Sequence, residues 1–328
     1  MDVIQDIRVV DTAGAGRPIC ATKFAVDLRV AGDVRPTVNR VRDFASLAKP
    51  EITFMVMISA GLAFVVASSS LQVVRLLHTI VGTGLVAAGA GALNQYLERA
   101  LDAQMRRTSR RPLPSGHVTG RAVFFFGTVL SVIGTIYLIL FLNELTALLG
   151  VLTSVIYLFV YTPLKTRTSL CTLIGAIPGA APMLMGWAAA QNNLTREAWV
   201  LYLILFLWQF PHFYAIGWLY REDYARAWMK MLPAVDDNEG KTTFRRILIS
   251  TQLLIVASLC FTFIGEMTRV YFVLALGLGL SFYYVAYRAS VSRSKLAAKT
   301  LLHASVVYLP LLYLVLLLDK FYLSASIH

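Results

Sequence analysis

The chain has 328 residues, of which 57% are hydrophobic and 15% charged, with a net charge of +12 and a mean hydropathy of +0.66. Soluble domains average roughly 45–50% apolar and about 25% charged residues. The inversion excludes a disordered chain, a coiled coil and an ordinary soluble α/β enzyme.

Residues 1–45 are polar, mixed in charge and without helical period. Asp2, Asp6 and Asp11 argue against an acid-poor transit peptide, and no apolar run resembles a signal-peptide core. The expectation is a mobile cytoplasmic tail. Nine stretches then lack Asp, Glu, Lys and Arg altogether: 52–70, 76–97, 122–142, 145–162, 169–190, 198–220, 247–265, 270–287 and 300–318. Crossing a hydrocarbon core of ~30 Å takes about 20 helical residues at ~1.5 Å each, and every stretch reaches that scale. Alternating β patterns are absent, which disfavours a barrel. The predicted fold is an all-α polytopic membrane protein: nine transmembrane helices in a bundle around a central cavity, occupying residues 46–320, with 321–328 as a C-terminal tail.

Ala48-Lys49-Pro50 opens the first span, with proline at a tolerated helix start. The second span ends in Asn94-Gln-Tyr-Leu-Glu98-Arg-Ala-Leu-Asp102. Residues four apart drift only about 40° around a helix, so Asn94, Glu98 and Asp102 share one face as a ladder of oxygens. Hard cations such as Mg²⁺ take oxygen ligands and leave positions for phosphate and water. A solvated helix end is the structural alternative, but two carboxylates near a helix C-terminus oppose its dipole and call for a compensating partner. The loop that follows, Met105-Arg106-Arg107-Thr108-Ser109-Arg110-Arg111-Pro112, supplies guanidinium forks suited to phosphate, Arg107 and Arg111 foremost.

Tyr161-Thr162-Pro163-Leu164-Lys165-Thr166-Arg167-Thr168 is a short connection after the fourth span, and Lys165 and Arg167 are its candidate phosphate ligands. The fifth span carries Gly175, Pro178, Gly179 and Pro182, which permit close helix approach and shape a cavity. The sixth contains Trp208-Gln-Phe-Pro211-His212. Pro211 interrupts the helix ladder, and His212 lies eight residues from the end of the span, about 12 Å deep. Ionisable groups at such depth are functional candidates by default. His212 is read as a ligand to a metalloporphyrin or a polar contact to substrate, with an interhelical hydrogen bond as the structural alternative. His78 and His303 lack such neighbours and are read as structural. After the sixth span, Arg221-Glu222-Asp223-Tyr224 is a second acidic site, able to hold another Mg²⁺ or simply to form a solvated turn.

Lys and Arg set the orientation. With the N-terminus cytoplasmic, 26 of the 30 basic residues fall on the inner side, and the outer connections and tail hold only Arg75, Arg196, Arg269 and Lys320. The positive charge therefore reflects topology and anionic lipid, not nucleic-acid binding. Cys20, Cys171 and Cys260 show no CxxC spacing, so neither a disulfide framework nor a zinc ribbon is expected. The two long inner loops, 98–121 and 221–246, stand four helices apart and both open with acids. This suggests two four-helix halves plus one helix, and symmetric charged segments of this kind point to a site.

The Asn-x3-acid-x3-Asp ladder followed by Met-x-Arg-Thr-x-x-Arg-Pro-Leu resembles the UbiA-type intramembrane prenyltransferases. Tyr-Thr-x-Leu-Lys at 161–165, Trp-Gln-x-Pro-His at 208–212 and Asp-Tyr-x-x-Ala with Met-Leu-Pro at 223–233 narrow the resemblance to their haem-farnesylating branch, the protohaem IX farnesyltransferases. The similarity spans roughly 45–318. Glu98 stands where that family usually has Asp, Ala100 replaces a frequent Asp, Trp228 and Lys230 replace Gly and Pro, and Met183 replaces a second Pro. The resemblance implies transfer of farnesyl from farnesyl diphosphate to a vinyl group of haem B, with water addition, giving haem O. It implies Mg²⁺ held by Asn94, Glu98 and Asp102 and again by Glu222 or Asp223. It places Arg107, Arg111, Lys165 and Arg167 toward diphosphate, and His212 toward haem. Haem B is then substrate and not a prosthetic group. A bacterial cytoplasmic membrane is the expected location, with the acidic loops inside and with oxidase-assembly or haem-modifying proteins as possible partners. A family member using an aromatic-acid or quinone acceptor is the alternative, and a transporter a more distant one.

Overall fold

The structure, a computed structural model, describes residues 40–264 and 267–326, without the side chains of 322–326. Most of the segment expected as a polar tail, residues 1–39, lies outside the described residues, as does Cys20. Residues 40–45 are helical and begin α1 (Arg40–Leu47). The described residues contain no strand.

Nine helices among them are long and apolar enough to cross a membrane: α2 (Pro50–Ala67), α3 (Val73–Asp102), α4 (Gly120–Phe141), α5 (Glu144–Leu164), α6 (Cys171–Gln191), α7 (Arg196–Leu219), α10 (Lys241–Ile264), α11 (Arg269–Ser292) and α12 (Lys295–Phe321, continuing as helix to Ser326). Two short helices, α8 (Arg221–Arg226) and α9 (Leu232–Val235), lie in the second long loop. Each span predicted from its lack of charge is found, with ends shifted by a few residues. Pro178 and Pro182 in α6, Pro211 in α7 and Pro310 in α12 are carried inside continuous helices.

Consecutive helices pack as neighbours from α2 to α5 and again through α6, α7, α10 and α11, with α12 lying against α11, α7 and α2. The halves join where α2 and α5 meet α6, and the α2 crossing is the tighter. That crossing is close enough that a Cβ on Gly186 would stand 1.9 Å from the Ala60 carbonyl oxygen. Without a hydrophobic force between helices in lipid, such contact between small residues is the main source of association. The outward faces remain apolar: Phe125 is 70% and Phe159 68% exposed. Lipid is the solvent that suits such a surface, and helices satisfy their own backbone within it. At the end away from the long basic loops, Arg75 and Asn143 donate to the carbonyls of Ala189 and Ala188, and Thr268 Oγ1 donates to the buried Asp319, closing helix ends.

Candidate functional site

The end of α3 brings the ladder into the bundle. Asn94, Glu98 and Asp102 are 1%, 4% and 1% exposed, so the solvated-helix-end alternative does not hold. Each meets a cation from a different segment. Lys49 Nζ donates to Asn94 Oδ1 at 2.7 Å, Lys165 Nζ lies 2.6 Å from Glu98 Oε1, and Arg111 Nη1 donates to Asp102 Oδ2 at 2.7 Å. These are the compensating partners that two carboxylates at a helix C-terminus require. Asn94 is held at its other end by Nδ2 donating to Thr162 Oγ1 at 3.0 Å.

Local structure explains how the partners arrive. Lys49, at the junction of α1 and α2, takes φ 48°, ψ 64°, a left-handed conformation unusual for a residue with a Cβ. Pro50 then starts α2. Gln95 fixes the approach by donating to the Leu47 carbonyl at 2.8 Å. Burial pushes the Lys49 ammonium down to about 7 against the pull of Glu98, with Lys165 and Arg111 adding to the depression. Burial also works against the Lys165 charge, but Glu98, Tyr161 and Tyr157 outweigh it and hold that ammonium well above its usual value. Within α5, residues Ile156–Tyr161 form a π-helical turn, an irregularity found mostly at functional sites. It stacks Tyr157 on Tyr161, 5.6 Å between rings. Lys165 sits 4.5 Å over the Tyr161 ring.

The first and second long loops are joined. Arg107 packs over Tyr220 at 5.0 Å and donates to the Tyr224 hydroxyl at 3.2 Å. Met105, Cys171, Tyr224, Met229 and Met231 form one small apolar core beneath them, and the Lys230 amide donates to the Lys165 carbonyl at 2.7 Å. Trp228, in the position where the resemblance expects Gly, takes φ 56° and is 80% exposed. Its backbone keeps the glycine-like conformation.

The structure does not draw every candidate inward. Asp223 is largely buried and pairs with Arg226 at 2.8 Å. Glu222 is 67% exposed and pairs with Lys295 at 2.8 Å, and the Lys295 bond and charge hold its carboxyl below the usual range. Arg167 is exposed, and its described contact is a backbone turn to Leu164. His212, in α7, stacks on Trp208 at 4.6 Å, and its Nδ1 lies 2.8 Å from Ser305 Oγ. The interhelical hydrogen bond exists, and the ring stays half-buried.

Sequence reasoning did not assign Lys49, Tyr157 or Thr162 to the site. For Lys49 the only available signal was a lone basic residue before the proline that opens a span.

No three residues among the described His, Cys, Asp and Glu form a metal cluster. The ladder nevertheless fits a hard divalent ion. It is a buried all-oxygen set, two of its members carboxylates, and the Lys165 ammonium 2.6 Å from Glu98 Oε1 keeps that carboxylate ionised. Mg²⁺ ordinarily takes one or two carboxylates and fills its remaining positions with phosphate and water. Beside Glu98 is a cleft of about 270 Å³ with mainly apolar walls, among them Leu97, Leu101 and Leu158.

The chain matches the UbiA prenyltransferase family over residues 54–320. It is 47% identical over 290 residues to a protein named protoheme IX farnesyltransferase from Solibacter usitatus, covering 85% of this chain and 99% of that one. A protein of the same name from Koribacter versatilis is 43% identical, with 87% and 96% covered. In fold it is similar to a digeranylgeranylglyceryl phosphate synthase, with a TM-score of 0.71 at 16% identity over 86% of this chain and 98% of that one. It is also similar to a UbiA homolog from Archaeoglobus fulgidus bound to GPP and Mg²⁺, with a TM-score of 0.61 at 11% identity over 84% and 99%. The protein is a multi-pass membrane protein, and with the family match reaching each of the nine membrane helices among the described residues, it belongs to the UbiA prenyltransferase family.

Proposed function

We propose that this protein is a Mg²⁺-dependent haem B farnesyltransferase that makes haem O. The observation that carries the reading is the buried oxygen face of Asn94, Glu98 and Asp102, ringed by Lys49, Lys165 and Arg111. It occurs in a chain 47% identical to a protein named for that reaction. Asn94, Glu98 and Asp102 would hold one Mg²⁺. Asp223, less exposed than Glu222, suits a second ion better. When bound, the metal would draw charge from the diphosphate as the allylic C–O bond weakens.

The chain's own residues supply the rest. Lys165 and Arg111 are fixed cations, Lys49 adds a charge when it is protonated, and Arg107 and Arg167 lie on the adjoining loops. Preorganised positive charge aimed at a leaving group strengthens where water is excluded. The apolar wall beside Glu98 suits an isoprenoid chain whose diphosphate meets the ladder. Its C1–O bond breaks, and C1 bonds to the terminal carbon of a haem vinyl group. A water molecule then delivers hydroxyl to the adjacent carbon and loses a proton. Diphosphate and haem O leave, and no covalent enzyme intermediate is required. His212 is read as facing haem. The charge asymmetry of 26 basic residues to 4 favours a cytoplasmic N-terminus and cytoplasmic acidic loops in a bacterial inner membrane.

The test is a product assay on purified protein in lipid, given haem B and farnesyl diphosphate with and without Mg²⁺. A farnesylated, hydrated haem formed only with Mg²⁺ is expected. Prenylation of a quinone-type aromatic acceptor, with no haem product, would replace this reading by the alternative acceptor.

A further inference from the structure

We propose that Ser305 is a positioning residue: it fixes His212 as the Nδ1–H tautomer and so presents the Nε2 lone pair as an axial ligand to haem iron. The proposal rests on the haem-farnesylating reading and adds to it the atom that would grip the acceptor.

One proton decides the tautomer. Ser305 Oγ lies 2.6 Å from the Leu302 carbonyl, which can only accept, so the hydroxyl proton is committed there. The contact of 2.8 Å between Ser305 Oγ and His212 Nδ1 must then be donated by the ring. A neutral imidazole carries one proton, which leaves Nε2 bearing a lone pair. Metal-binding histidines are held in this way, with the second nitrogen donating to a fixed acceptor that sets the tautomer and the ring plane.

The ring is also held in place. Trp208, one turn earlier in α7, stacks on it with planes 22° apart. The Trp208 indole donates to the backbone carbonyl of the same Ser305 at 2.8 Å. Two side chains of α7 thus converge on one residue of α12. Among the described residues the only hydrogen bond to the His212 ring is at Nδ1.

The ring lies on the side of α7 away from lipid. At about 100° per residue, His212 lies about 180° around α7 from Leu203, which is 41% exposed on the outer face. Ser305 stands in the same relation to Leu314 on α12: Leu314 is 50% exposed and Ser305 fully buried. His212 and Ser305 therefore lie on the faces of α7 and α12 opposite their lipid-exposed leucines.

The experiment uses the full chain in lipid nanodiscs. In the haem-free protein, nitrogen-15 NMR of labelled histidine should show His212 protonated at Nδ1 and bare at Nε2; the opposite tautomer overturns the proposal without any variant. Ferric haem B is then titrated, reading the Soret band and electron paramagnetic resonance for an axial nitrogen. His212→Ala should lose the nitrogen signature. Ser305→Ala should weaken haem binding by about 10-fold or more, the usual effect of removing such a partner, and Ser305→Thr should restore it. Farnesyl diphosphate binding, unchanged in all three, reports intact folding. Wild-type haem affinity and spectrum in Ser305→Ala, or a retained nitrogen ligand in His212→Ala, overturns the proposal. Haem bound by the wild type without an imidazole ligand defeats this inference and leaves the farnesyltransferase reading standing. No haem binding at all, with farnesyl diphosphate still bound, overturns both.

Discussion

Breaking the Lys165–Glu98 pair should show that the ladder is held by charge compensation. The two side chains are 12% and 5% exposed and 2.6 Å apart. At an effective dielectric of ~20 the gross attraction at that distance is about 6 kcal/mol, most of it offset by the desolvation of two buried ions. Lys165→Gln alone leaves the Glu98 carboxylate buried, at a cost of about 3 kcal/mol or more. Lys49 limits the damage: its ammonium is depressed to about 7 by burial and by its cationic neighbours, so losing Lys165 promotes its charging. Glu98→Gln alone strands the Lys165 ammonium. The double variant strands neither and should sit within about 1–2 kcal/mol of wild type. Reversible unfolding in mixed micelles, followed by tryptophan fluorescence, measures all four corners of the cycle. Turnover should fall at least 100-fold in each variant, since either side chain alone is insufficient for metal and diphosphate. If the single effects simply add, to within about 0.5 kcal/mol, the pair is not coupled and the account of the ladder fails.

Three further outcomes follow from the same structure. Asp102→Asn should abolish Mg²⁺-dependent haem product while leaving membrane insertion intact; normal turnover would remove Asp102 from the metal set. Asp236 is partly buried, which opposes its charge, but hydrogen bonds from the Thr243 hydroxyl and amide, both 2.7 Å, and from the Asn238 amide hold its carboxyl below the usual value. Its contribution is therefore complete above the ordinary Asp pKa and lost as pH falls through the lower folded value. The gap in Tm between wild type and Asp236→Asn should be constant at neutral pH and close on acidification below about pH 4; a gap independent of pH refutes this. Gly186→Ala should destabilise by about 1–3 kcal/mol, because the Ala60 backbone oxygen beside it cannot swing away; an unchanged unfolding midpoint would mean that α2 and α6 do not meet there.

Much of the architecture is written directly in the chain. A span must exclude charge over about 20 residues because unpaired charge in hydrocarbon is costly. The nine charge-free stretches therefore mark the nine membrane-spanning helices among the described residues, including the proline-bearing ones, since proline loses one hydrogen bond while the others keep the helix. The ladder was equally legible, because spacing of four residues forces Asn94, Glu98 and Asp102 onto one face whatever packs against it. Family resemblance could be read from the same short runs, and Trp228, where that resemblance expects glycine, takes a left-handed backbone conformation that glycine would adopt without strain.

Contacts between segments were decided only by the tertiary structure. Lys49 is 45 residues from Asn94 in sequence, and a lone lysine ahead of a span is indistinguishable from a topogenic charge until the helices pack. Arg107 and Arg167 look alike as loop cations, and both stay exposed; packing sets one against Tyr220 and Tyr224, while the other's described contact is a backbone turn to Leu164. Glu222 and Asp223 are adjacent, yet successive helical residues point about 100° apart, and so one is partly buried and the other meets solvent. Helical period fixes the face of a residue within its own element. Which cation neutralises a buried carboxylate, and which proton sits on His212, depend on elements far apart in sequence that meet only in the folded bundle.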